Sequence, residues 1–173
     1  MKRAIVLALS VILALVVAAP TVLAQGNGGA PEDVGTIIID LPPQDDTDLT
    51  SPASFGCDFP VHIEATGKAK LIELPDGGFI LTAPGLYATV TNVDTGEALT
   101  FNITGSTFAS APDENGFVDY VITGRNLALD PAGLFLNKGR FTYTLDESDP
   151  ENIKIVKPQE GEGQAIDVCE LLS

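Results

Sequence analysis

Apolar and polar residues alternate most cleanly over 98–104, where Leu99, Phe101 and Ile103 share one face and Thr100, Asn102 and Thr104 the other. A period of two in β-branched and aromatic residues predicts a half-buried strand. The arm that precedes it from Leu86 is rich in Thr, Val and Tyr, and Asp94-Thr95-Gly96 between the arms is turn chemistry. Residues 86–104 therefore read as a hairpin. The same alternation returns in Phe59–Thr66 (Val61, Ile63, Ala65), Phe117–Thr123 (Val118, Tyr120, Ile122) and Arg140–Leu145 (Phe141, Tyr143, Leu145). Shorter apolar runs at Ala69–Leu74, Phe79–Thr82 and Ile153–Val156 add further strands, and Leu127–Leu136 carries apolar residues around Asp130-Pro131-Ala132-Gly133. Turns are expected at Pro75-Asp76-Gly77-Gly78, Ala83-Pro84-Gly85, Asp113-Glu114-Asn115-Gly116 and Asn137-Lys138-Gly139. Ser106–Ala111 gives no clear signal, and Ala165–Leu172 reads as either a closing helical turn or a last strand. About eight to nine short strands without a long helix predict an all-β fold, an antiparallel β-sandwich or a small β-barrel.

The N-terminus obeys a different pattern. Lys2 and Arg3 precede an apolar run over Ala4–Ala19, Pro20 breaks it, and Val22-Leu23-Ala24 offers small or apolar residues for cleavage. This is the layout of a secretory signal peptide over 1–24. Residues 25–54, rich in Gly, Pro and Asp, read as a flexible tether with room for one short strand at Thr36–Leu41. The β domain is expected over 55–173, and no later stretch is apolar enough to span a membrane once the leader is gone.

Export changes how the two cysteines are read. In a secreted chain an even pair implies a disulfide, here Cys57 with Cys169, one at each end of the domain. A metal pair would want more ligands than the lone His62 can add, and a redox couple would want Cys-x-x-Cys spacing. Without Lys2 and Arg3 the chain keeps seven basic residues against 24 acidic ones, a net charge of −17. Such a charge repels phosphate backbones and anionic bilayers and so argues against nucleic acid as a partner, although a cation-rich partner or a divalent ion fits it.

Candidate chemistry is sparse. Asp94-Thr95-Gly96 matches the aspartic-protease triplet, but it stands once only, is followed by Glu97, and suits a hairpin tip by composition. His62 falls on the polar face of its strand beside Glu64, and no Gly-x-Ser-x-Gly elbow accompanies it. Two acidic runs, Asp45/Asp46/Asp48 and Asp146/Glu147/Asp149/Glu151, offer oxygen ligands for calcium without the regular loop spacing. Asn102-Ile103-Thr104 matches a glycosylation sequon inside an expected strand. No residue is assigned a catalytic, cofactor-binding or metal role on these grounds, and no cofactor is expected.

Cys57-Asp58-Phe59-Pro60-Val61, Thr91-Asn92-Val93-Asp94-Thr95-Gly96, Gly124-Arg125-Asn126 and Asp167-Val168-Cys169 together resemble a set of small secreted proteins of actinobacterial type. Those carry one β-rich domain, two outer cysteines and no assigned activity. The resemblance runs from about Phe55 to the C-terminus and implies a disulfide between the outer cysteines. It departs from the pattern at Gly161-Glu162-Gly163-Gln164, where the set has Gly-Gly-Arg. The expected function is a secreted, non-catalytic binding or cell-envelope module with an extracellular partner. The alternatives are a lipocalin-like carrier of a small apolar ligand and a small hydrolase working through carboxylates.

Overall fold

The computed structural model describes residues 30–41, 43, 56–130, 133–149 and 153–173. The expected leader and its cleavage site, Asp45/Asp46/Asp48 and Glu151 lie outside the described residues.

The strand that organises the molecule is β2, Val61–Glu73, which the sequence reading divided in two. Its first half pairs on one side with β1 (Glu32–Leu41) and on the other with β4 (Tyr87–Asn92), which carries β5 (Ala98–Asn102). Its second half pairs with β3 (Phe79–Thr82), and the sheet continues through β6 (Ser106–Ala109), β7 (Phe117–Asp130), β8 (Gly133–Asp146) and β9 (Lys154–Asp167). The change of partners falls at Gly67, whose φ of +132° suits glycine and where a Cβ would lie 2.2 Å from the Gly85 carbonyl oxygen. One nine-stranded antiparallel sheet thus serves as two layers, β1-β2-β4-β5 and β2-β3-β6-β7-β8-β9.

The expected all-β fold is present, with one short helical turn, α1 (Val168–Leu171), after the last strand. Both readings of the C-terminus hold, because β9 runs to Asp167 and the Asp167 carboxylate then accepts from the Glu170 N–H as an N-cap. The expected Asn137-Lys138-Gly139 turn is not there. Lys138 and Gly139 sit mid-strand in β8, opposite Arg125 and Gly124 of β7 and Gln164 and Gly163 of β9. Glycine is needed for close approach rather than for a turn, since a Cβ on Gly139 would lie 2.2 Å from the Glu162 carbonyl oxygen. β1 is also longer than the stretch expected within the tether. Its Ile37, Ile39 and Leu41 stand opposite Ala65, Ile63 and Val61, so the packed region begins well before residue 55.

The larger core joins the inner faces of the layers: Val61, Ile63 and Val90 meet Leu127, Leu134 and Leu136. The interior side of β7 changes beyond Arg125: Ile122 is buried at an even position, Arg125 is still exposed, and Leu127 is buried at an odd one. Cys57 and Cys169 form the expected disulfide, which fastens α1 so that Val168 and Leu172 fill the same core. A smaller core holds Val118, Tyr120, Leu145 and Ile153, with Phe79 and Tyr143 against it.

Candidate binding faces

Because side chains alternate along a strand, each layer turns one face inward and presents the other to solvent. The outer face of the first layer is rich in hydroxyls. Thr89 and Thr100, paired across β4 and β5, hold their hydroxyl oxygens 2.9 Å apart, and Tyr87 stands exposed in the next row. On the same face the strand register places Asp40 opposite His62. His62 Nδ1 lies 2.6 Å from Asp40 Oδ1 and Nε2 lies 3.5 Å from Glu64 Oε1. The Asp40 hydrogen bond holds the imidazole above its ordinary value, against a small opposing effect of burial. Glu64 was legible as a neighbour from spacing alone, whereas Asp40 needed the register. The group lies on an open sheet face.

The outer face of the second layer breaks the rule that such faces are polar. Ile72, Ile80, Phe108 and Val121 are cross-strand neighbours on β2, β3, β6 and β7, forming one apolar row. Phe108 is 36% exposed and the other three are half-buried. The row continues to Thr142 on β8 and Glu160 on β9, where it enters a cleft of about 390 Å³. The pairing of β8 with β9 is irregular at this point: Thr142 opposes Glu160 while Thr144 opposes Lys157, leaving Pro158 and Gln159 as a bulge. Gln159 turns to Asn137 and the two amides exchange bonds of 2.7 and 3.3 Å. Asp119 accepts from the Thr144 hydroxyl at 2.6 Å on one wall, and Lys157 stands beside Thr144 on the other. A volume of this size suits a small-molecule or polymer subsite, and bulges commonly re-aim side chains at such places.

Other features have a structural use. Asp94-Thr95-Gly96 is the hairpin tip, capped by the Asn92 side chain, whose Oδ1 accepts from the Asp94 and Thr95 N–H groups. Asn92 Nδ2 donates to the Leu172 carbonyl at 2.9 Å, tying the hairpin to the C-terminus. Asp146 bonds the Ser148 N–H and hydroxyl, and Glu147 turns inward to accept from the Tyr120 hydroxyl at 2.6 Å. Burial raises the Glu147 carboxyl above its ordinary range, and burial also raises Tyr120 and its stacked neighbour Tyr143. Among the described residues no three His, Cys, Asp or Glu side chains gather as a metal would require. Asn102 ends β5 and accepts from the Thr104 hydroxyl at 2.6 Å. Between the layers lies an apolar cavity of about 30 Å³, lined by Ile39, Leu81 and Leu127 among others. That is room for about two waters, against several hundred Å³ for a carried ligand. Among the described residues no helix is long and apolar enough to cross a membrane.

Comparison with protein-family models, with curated proteins and with solved structures finds no match to this chain.

Proposed function

We propose that this chain is an exported, non-catalytic β-domain that binds an extracellular or cell-envelope partner through the outer face of its second layer. The observation that carries the reading is the apolar row Ile72–Ile80–Phe108–Val121, left at the surface and running into the cleft under the β9 bulge. Burying such a row in a complex gains about 25 cal/mol for each Å² of apolar surface removed from water. The first layer has no such row: Ile38 and Tyr87 are exposed there, but the cross-strand neighbour of Ile38 is Glu64 and those of Tyr87 are Thr66 and Asn102. The signal layout of residues 1–24 and the Cys57–Cys169 disulfide support an oxidising destination. The resemblance of the motifs above to small secreted actinobacterial-type domains supports the same reading.

The test is sedimentation of the secreted chain with insoluble envelope material, beside Phe108→Asp and Val121→Asp. Both positions face outward, so the variants should keep their melting temperature and lose retention. Retention unchanged in both, with folding intact, would refute the assignment of this face.

A further inference from the structure

The proposed binding domain is strongly acidic, yet its second layer gathers cations. Of the seven basic residues after the expected leader, six project from the outward positions of this layer: Lys70, Arg125, Lys138, Arg140, Lys154 and Lys157. Four acids share the face, Asp119, Asp146, Glu160 and Glu162, which leaves a local excess of two positive charges. The cations are concentrated where β7 meets β8. Arg125 stands directly opposite Lys138, and Arg140 follows two positions on. Like charges directly opposite one another across a ladder are unfavourable. Glu162, opposite Arg140, is the nearest acid in the register, but among the described residues no carboxylate oxygen lies within 4 Å of these three side chains.

From there the cations continue in line. Lys138 and Arg140 lead along β8 to Thr144 and Asp146, whose β9 partners are Lys157 and Lys154. The eight residue steps from Lys138 to Asp146 make a track of about 27 Å. Along it, Glu160 and Asp119 flank the cleft that Lys157 overlooks.

Resting on the proposed function, we propose that the partner is a linear polyanion, a polymer bearing phosphate or comparable anionic groups at intervals, laid along β8 and anchored at Arg125–Lys138–Arg140. A line of cations fits a chain better than a lone anion, and the acids interspersed on the face count against a flat anionic bilayer. The net charge of −17 does not prevent this, because at physiological salt charges beyond about 8 Å are largely screened and contact is governed by the local field. At low salt the acidic remainder slows encounter.

The experiment is calorimetry of the full secreted chain with long-chain inorganic polyphosphate at several salt concentrations, beside vesicles of mixed zwitterionic and anionic phospholipid. Polyphosphate binding is expected, weakening with salt. Arg125→Glu with Lys138→Glu should weaken it at least tenfold and take about two from the slope of log K against log salt. Arg125→Lys should restore most of the affinity, and Lys68→Glu on the first layer should change nothing. Absence of polyphosphate binding overturns the polyanion, as does tighter binding to the vesicles, and an equal response to Lys68→Glu overturns the anchor. If envelope material is still retained through Phe108 while polyphosphate is ignored, the binding domain stands and only its anionic partner falls.

Discussion

Removing the Cys57–Cys169 bridge should destabilise the fold without altering it. The bond links positions 112 residues apart, nearly the whole domain. In the chain-entropy account a loop of about that length contributes about 5 kcal/mol, by restricting the unfolded chain rather than by adding a native contact. The native consequences are local. Cys57 is buried, Cys169 lies in α1 within 3.4 Å of the Leu134 N–H, and the flanking Val168 and Leu172 are completely enclosed. Their burial, and the Asn92 bond to the Leu172 carbonyl, hold α1 in place after the bridge is cut. For a domain of this size 1 kcal/mol moves the melting temperature by about 2–4 °C, so Cys57→Ala with Cys169→Ala should melt about 10–20 °C lower. Thermal circular dichroism measures the shift, and amide NMR shows whether the folded state is kept. A shift below about 3 °C would refute the reasoning, since it would mean that the unfolded chain gains little freedom. Collapse of the folded spectrum at 25 °C would refute the claim that packing alone retains α1.

Asn92→Ala removes the cap on the 93–96 turn and strands the buried Leu172 carbonyl. It should cost about 3 kcal/mol by urea unfolding, and a cost below 0.5 would show the bonds to be dispensable. His62, the single histidine, should titrate by NMR above 6.5, and Asp40→Asn should bring it down. Its contribution to stability is complete below about pH 6.5 and is lost as pH rises through the raised folded value. Burial raises the Glu147 carboxyl above its ordinary 4.5, so its contribution too is greatest below that pH and lost above the folded value. Glu147→Gln should flatten this part of the stability–pH curve and leave the neutral protein at least as stable, as followed by urea melts from pH 4 to 7.

Strand content was legible wherever one face met the core and the other met water. The 98–104 alternation places Leu99 and Phe101 against the core, and the turns at 75–78 and 113–116 lie where Gly77 and Gly116 take positive φ. Reading failed where that condition failed. Ser106–Ala109 is too short to show a period, whereas Phe79–Thr82 was read with its observed bounds but not its facing, since both of its faces are apolar and Ile80 belongs to the surface row. Gly67 and Gly139 read as breaks, yet they are points where a continuing strand is approached closely by another backbone. The candidate faces were the least legible. A net charge sums over the chain and hides that Arg125, Lys138 and Arg140 converge, and Asp40 meets His62 only through the β1–β2 register.

The central claim, that the outer face of the second layer is the binding surface, is tested most directly by amide NMR of the protein during addition of solubilised envelope polymer. Shifts confined to Phe108, Val121, Thr142, Lys157 and their cross-strand neighbours are predicted, with Thr89, Thr91 and Thr100 unmoved. Shifts centred on the threonine rows and His62 instead would place the surface on the first layer and contradict the account.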